Sequence, residues 1–396
     1  MAVPATDNAA SWWRYAMVLA AWLVTRVGLV ILGRVELGFY PGGRLAFDDL
    51  DVYARWLPVL SDGRLPVDDM WQYPPLSAFF FLAGGIGSDP ATALLLAIMA
   101  VDLILTIVLT RHKLAAGWYW VGFGVVIGPI LVARFDVVPT LFAVLAVIAA
   151  AHPVRTGVWA AIGAGFKVWP VLVLAVVPRR RSLPALGSFL AITVLLLAGT
   201  AIVFGDLTGF LGGQGSRGLQ VESVAALPFL IINATQGGVE LEYRYGAMEV
   251  AVAGAGIAAA VVTVVAVVGL VWLAVVWWRQ RLAQAAPADI AFTVVLFSVV
   301  VSRVFSPQYS IWLLGLGALC LVAPRSRVRT AVWLVVAAAA IAQILYPGGY
   351  GRLLSGDPLM VTLQAVRVTL VVVAAAWSWY RVVVRPGTGP GPGPSQ

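Results

Sequence analysis

The sequence predicts an all-α polytopic membrane protein, and three observations carry that prediction. Of the 396 residues, 61% are hydrophobic, against roughly 45–50% in soluble domains. Only 11% are charged, where a soluble domain carries about a quarter. Apolar runs of the length a bilayer crossing needs, about 17–25 residues, recur along nearly the whole chain. A water-soluble fold has no interior large enough to hide so much apolar surface. The 26 Lys+Arg against 18 Asp+Glu leave a net charge of +8, which in a soluble chain would raise nucleic acid as a partner. Here nearly all the cations are Arg and most fall in short clusters between apolar runs, so the partner expected is the lipid bilayer and no nucleic acid is expected. Cys320 is the one cysteine, which excludes an intrachain disulfide. His112 and His152 are the only histidines and there is no CxxC, so a Cys/His zinc site is excluded as well.

The apolar runs fall at about 13–33, 91–110, 117–133, 137–151, 182–204, 247–278, 289–303, 309–323, 331–346 and 359–380. The first follows a weakly charged stretch with only Arg14 and has no small-residue cleavage site, so it reads as a retained helix. The run at 247–278 exceeds one crossing and is expected to tilt or protrude. Residues 154–178 are interrupted by Lys167-Val168-Trp169-Pro170, and charge decides their path. A single crossing there would put the arginines at 179–181, 279, 281, 325, 327, 329, 381 and 385 outside, against the rule that short cytoplasmic loops collect Lys and Arg. Entry and return as two half-helices keeps them inside. The expectation is ten full spans plus a re-entrant helix pair, about 12 helices, with both termini cytoplasmic and residues 1–380 forming one domain. The Pro/Gly-rich tail at 381–396 has nothing to bury and is expected to be disordered.

This topology leaves two long polar segments outside, 34–90 and 205–246, and long segments of mixed polar and aromatic residues are usually functional. The first holds Asp48-Asp49-Leu50-Asp51-Val52-Tyr53, three carboxylates within four residues that repel one another and raise at least one pKa. Residues 50–61 fit an amphipathic interfacial helix capped by Asp48 or Asp49, and Pro74-Pro75 fit the start of a second, with 76–86 as its body. The acids read either as caps on a solvated loop or as a base for a lipid-linked substrate at the membrane surface. In Gln214-Gly215-Ser216-Arg217-Gly218-Leu219-Gln220-Val221-Glu222-Ser223 and in Ser302-Arg303-Val304-Phe305-Ser306-Pro307-Gln308-Tyr309, an arginine among small and polar residues offers a planar fork to a phosphate. Arg134-Phe135-Asp136 reads as a local ion pair. Arg26, Asp102, Lys167 and Arg367 are intramembrane ionisable residues that mark a lined cavity or pair with one another, and an Arg26–Asp102 bridge is the expected pairing.

In order, Asp49-Leu50-Asp51-Val52-Tyr53, Gly63, Tyr73-Pro74-Pro75-Leu76, Arg134-Phe135-Asp136, Lys167-Val168-Trp169-Pro170, Arg217-Gly218-Leu219-Gln220-Val221-Glu222-Ser223 and Ser306-Pro307-Gln308-Tyr309 resemble glycosyltransferase family 87. That family belongs to the GT-C superfamily and includes actinobacterial polyprenyl-phosphate-mannose-dependent mannosyltransferases. The resemblance runs to about residue 313, and the later spans fit in number only. It implies a GT-C-like fold in the plasma membrane and inverting transfer of a hexose on the outer face. The donor would be a polyprenyl-phosphate sugar and the acceptor a hydroxyl of a cell-envelope glycolipid or glycan. The base role maps to Asp49, with Asp51 and Asp48 as alternatives. Arg217, Arg303 and Lys167 become candidates for the donor phosphate, although Lys167 opens inward in this topology. Tyr53, Tyr73, Gln220, Glu222, Gln308 and Tyr309 become candidates for sugar and acceptor. Some relatives use a histidine near the site, whereas both histidines here are expected in the cytosol. No Gly-rich nucleotide cradle is present, which argues against a nucleotide-sugar donor. Neither metal nor cofactor is expected, because a short acidic cluster is a weak signal for a cation. A transporter or flippase of a lipid-linked saccharide is the competing reading, disfavoured by the lack of internal repeats. A non-catalytic scaffold leaves the acid and arginine motifs unexplained.

Overall fold

The computed structural model describes residues 12–35, 37–38, 40–205, 207 and 217–385. The tail expected to be disordered over 381–396 starts as helix instead, with Tyr380–Val384 continuing the last span and Val382 and Val383 buried; the stretch after Arg385, together with Asp7 and Gln214-Gly215-Ser216, lies outside the described residues. The chain opens with α1 (Trp12–Arg34). Three short helices follow in the first polar segment: α2 (Asp48–Arg55), α3 (Leu57–Ser61) and α4 (Ser77–Phe81). Next come α5 (Pro90–His112), α6 (Leu114–Ile127), α7 (Ile130–Ala133), α8 (Val137–Ile148), α9 (Pro153–Phe166) and α10 (Ser182–Phe204). The second half holds α11 (Leu227–Gln236), α12 (Ala255–Trp278), α13 (Pro287–Val300), α14 (Tyr309–Val322), α15 (Arg329–Leu345), α16 (Tyr350–Leu354) and α17 (Pro358–Trp379). Among the described residues five helices, α1, α5, α10, α12 and α17, are long and apolar enough to cross a membrane.

Two expectations about local structure need correction. The amphipathic helix expected over 50–61 starts earlier and breaks in two, because Pro58 sits in the first turn of α3 and cannot continue α2. Phe47 is the N-cap of α2 and makes no side-chain cap bond. Asp48 and Asp49 therefore occupy the first helical turn, where the positive end of the helix dipole favours carboxylates, and neither is a cap. The second correction concerns 247–278, whose first residues are strand. β1 (Leu219–Gln220), β2 (Leu241–Arg244) and β3 (Ala247–Val250) form an antiparallel sheet in the order β1-β3-β2. Tyr245 and Gly246 both have positive φ, 51° and 73°. That is the two-residue turn whose twist matches a hairpin. Helix α12 begins only after Gly254, at φ 94°, so the long apolar run is a strand plus one crossing-length helix. The fold is mainly helical, not all-α.

The core agrees with one pairing read from sequence. Arg26 of α1 and Asp102 of α5 are both fully buried and meet at Nε–Oδ2 2.8 Å. The indole N–H groups of Trp22 and Trp120 also donate to the Asp102 carboxylate, at 2.6 and 2.7 Å. A charge pair in an apolar interior persists when its remaining lone pairs are filled in this way. Gly124 on α6 makes room for the guanidinium, since a Cβ there would collide with it.

The segment after α8 is a hairpin. Helix α9 ends at Lys167, the chain turns, and a 3-10 helix over Trp169–Val176 runs back. Arg181 beyond it donates to the carbonyl of Ala151 at 2.7 Å, so the segment returns to the end from which it set out. Trp277 at the close of α12 donates to Val177 there (2.8 Å). Arg329 reaches the carbonyl of Ala323 (2.8 Å) and Lys113 that of Val322 (3.5 Å). The short Arg-rich connections thus gather at one end of the bundle. At the other end the long polar segments bond to one another, Gln72 to the Tyr245 carbonyl (3.0 Å) and Tyr346 to that of Leu45 (2.9 Å).

Candidate functional site

At the end formed by the long polar segments lies a cavity of about 630 Å³. Its walls come from α2, the loop before α4, the α7–α8 turn, the tip of the α9 hairpin, the β2–β3 hairpin and the start of α14. Asp48, Asp49, Arg134, Lys167, Arg217 and Glu222 are its charged residues. Asp51 is not among them: two residues beyond Asp49 on α2, it is solvent-exposed and lies off the cavity.

Two ion pairs tie these walls together, and both cross between elements. Arg134, buried in the α7–α8 turn, pairs with Asp49 of α2. Asp136, fully buried two residues later, accepts from Lys167 Nζ at 2.7 Å and from the Trp312 indole at 2.6 Å through the same Oδ1. Arg134 and Asp136 therefore each bind another element, where a local pair was expected. Lys167 was expected to open inward and instead reaches the cavity that holds the outer-loop acids. The reason is length: α9 carries its C-terminal end about 21 Å at 1.5 Å per residue, to the level of the α7–α8 turn. There the ammonium lies 5.1–5.6 Å from the ring centroids of Phe135, Trp312 and Tyr73, a cation–π setting for a charge leaving water.

Aromatic rings line the remaining walls. Trp169, Trp312 and Tyr309 stack in sequence, with centroids 5.1 and 3.9 Å apart. On the facing side the Tyr73 hydroxyl lies 3.5 Å from that of Tyr53, and burial pushes the Tyr53 hydroxyl well above its ordinary pKa. Tyr243, Tyr245 and Met248 close the cavity from the β2–β3 hairpin. Flat aromatic walls with a few polar groups suit a sugar ring, which has apolar faces and a hydroxylated edge.

The other sequence candidates separate by position. Arg217 lines the cavity, gives one N–H to the Tyr245 carbonyl (3.1 Å) and leaves its buried Nε without a partner. Arg303 does not line this cavity: it donates to Thr263 at 3.0 and 3.1 Å and to the Arg217 carbonyl at 3.5 Å, and with Arg217 it borders a second cavity of about 340 Å³ beside the start of α12. The Gln220 side-chain oxygen accepts from the Phe305 backbone N–H (3.0 Å), so it holds two loops together. Gln308 accepts from Ser306 (2.7 Å) at the cavity edge. Desolvation raises the Asp48 carboxyl despite the opposing pull of Arg134. Glu222 is pushed up to about 7 by burial, opposed by Arg367.

Sequence reading missed Asp136, Trp169, Trp312 and the β2–β3 hairpin as parts of this site. The hairpin had a signal, the strict alternation Val239-Glu240-Leu241-Glu242-Tyr243-Arg244 before Tyr245-Gly246. Asp136 and Trp169 lie in motifs that carry the family resemblance and read there only as a local ion pair and a helix break, whereas Trp312 had no signal, because its partner Asp136 is distant in the chain.

No curated protein and no solved structure matches the chain. A family model does match, over residues 71–307. That stretch contains Tyr73, Arg134, Asp136, Lys167, Arg217 and Glu222, all cavity residues or their direct partners. Asp48 and Asp49 precede it and line the cavity from α2, where Asp49 pairs with Arg134. With more than half its length matched by the model of glycosyltransferase family 87, the chain belongs to that family and is a glycosyltransferase carried on membrane helices.

Proposed function

We propose that this protein moves a hexose, with mannose as first candidate, from a polyprenyl-phosphate sugar to a hydroxyl of a cell-envelope glycolipid or glycan, with inversion, on the outer face of the plasma membrane. The observation that supports it is one cavity in which the Asp49 carboxylate faces a wall carrying Lys167 and Arg217. Asp49 is the base, oriented by Arg134, with Asp48 beside it as the alternative; Asp51 drops out because it points to solvent. The base takes the acceptor hydroxyl proton as that oxygen bonds to the anomeric carbon. The bond from that carbon to the phosphate oxygen breaks, and its electron pair leaves with the phosphate. A phosphate leaves well without a general acid when cations stabilise its charge. Arg217, with an unused buried N–H, is the first such cation and Lys167 the second. Arg303 has no part in this step. The Arg-rich end opposite the cavity supports an outward-facing site with cytoplasmic termini, ten spans and the hairpin.

The test is transfer by purified protein in liposomes, with radiolabelled polyprenyl-phosphate-mannose and a membrane lipid extract as acceptor. A folded Asp49→Asn variant is expected to lose about 10²–10⁴-fold in rate, and Asp51→Asn to stay within about twofold. Equal rates in wild type and Asp49→Asn refute the base assignment. Passage of lipid-linked saccharide across the bilayer, with no transfer from any polyprenyl-phosphate sugar, replaces the enzyme reading with transport.

A further inference from the structure

Glu222 is the one cavity carboxylate that the transfer step leaves unused. It is 5% exposed and borders the cavity; the Tyr350 hydroxyl and the Gln220 side chain lie beside its carboxylate, and its buried Oε2 makes no full-strength hydrogen bond within the protein. The groups facing it come from three elements: Arg367 of α17, Tyr350 of α16 together with Tyr346 just before it, and Tyr309 of α14. Arg367 does not border the cavity. It is 2% exposed, its guanidinium lies 4.1 Å from the Phe305 ring centroid, and Nη1 donates to the Gln364 side chain at 3.2 Å. Gln364 in turn donates to the Glu222 carbonyl at 3.0 Å. The last span thus fixes both the backbone and the charge of Glu222.

A buried acceptor left open costs free energy until something donates to it. A carboxylate repels phosphate, so the matching ligand group is a hydroxyl. Arg217, the phosphate candidate, stands on the same short segment as Glu222. A donor held there by its phosphate presents its sugar to Glu222. We propose that Glu222 selects the transferred sugar by accepting a hydrogen bond from one of its ring hydroxyls, and that Arg367 is the positioning residue that holds this carboxylate in place and charged. This rests on the transfer reading above.

The experiment measures kcat/KM in liposomes for polyprenyl-phosphate-mannose and its 2-, 3-, 4- and 6-monodeoxy analogues. Wild type is expected to disfavour one analogue by about 10–100-fold, the worth of one hydrogen bond to a charged group. In Glu222→Ala that preference falls to within about threefold. Unchanged preferences in Glu222→Ala overturn the assignment. The positioning role is read from pH. In wild type kcat/KM is expected to rise with pH as Glu222, pushed up to about 7 by burial, ionises. Arg367→Gln removes the lowering cation and moves that limb up by about one pH unit or more, and Arg367→Lys brings it back. A limb that stays put in folded Arg367→Gln overturns the positioning role. If a single variant does not fold, the double variant Glu222→Ala with Arg367→Gln buries no lone charge and leaves no acceptor, and it is expected to lose both the preference and the limb. No transfer by wild type from the unmodified donor would overturn the transfer reading itself, and this inference with it.

Discussion

Neutralising Asp136 is expected to destabilise the protein by about 3 kcal/mol, and the figure follows from its surroundings. Asp136 is fully buried, and its Oδ1 accepts from both Lys167 and Trp312. Asp136→Asn preserves the shape and removes the charge that balances the Lys167 ammonium. Breaking a buried pair from one side costs about 3–5 kcal/mol, because the surviving charge is left uncompensated. Lys167 keeps 14% exposure toward the cavity and its ring contacts, which places the cost at the low end. About 3 kcal/mol is a little over 100-fold in the folding equilibrium. The measurement is a double-mutant cycle on thermal unfolding in detergent, with Asp136→Asn, Lys167→Met and both together. The double variant buries no lone charge and is expected to regain about 2 kcal/mol relative to the sum of the singles. Its transfer rate stays low, because the cavity has lost a cation. Strict additivity would refute the pairing, and with it the placement of the hairpin tip at the cavity.

Two further outcomes follow from the same coordinates. Asp102→Asn strands Arg26 among α1, α5 and α6 and is expected to cost about 3–5 kcal/mol, read as lost thermal stability in detergent with an unchanged transfer rate per folded molecule. Gly246→Val forces a β-branched residue to a φ of 73° at a cost of about 1–2 kcal/mol. It disturbs the adjacent Tyr245 carbonyl that accepts from Arg217 and Gln72, so kcat/KM is expected to fall while the helical bundle keeps its circular dichroism.

Legibility differed from element to element for a physical reason. Helix α10 over Ser182–Phe204 and helix α17 over Pro358–Trp379 lie within a residue or so of the apolar runs read from sequence, because bilayer crossing imposes a length and a polarity that a window of sequence displays. Arg26 and Asp102 were legible as partners because an apolar interior leaves buried charges few alternatives. Residues 247–250 were misread, since a strand of a hairpin at the membrane surface is as apolar as the helix that follows it. That Asp48, Asp49 and Asp51 form an acidic cluster was readable, whereas only the fold shows that Asp48 and Asp49 line the cavity and Asp51 does not.

The sequence by itself determined that this is a mainly helical membrane protein with short Arg-rich connections and two long polar segments. Hydropathy and charge are properties of consecutive residues, and the membrane sorts them without reference to the rest of the fold. Only the tertiary structure decided which charges meet. The pairs Arg134–Asp49 and Lys167–Asp136, the Gln364 bond to the Glu222 carbonyl, and the place of Arg303 at a second cavity all depend on how helices and hairpins distant in the chain are packed. That packing is set by the shapes of whole surfaces, and no local pattern of residues encodes it.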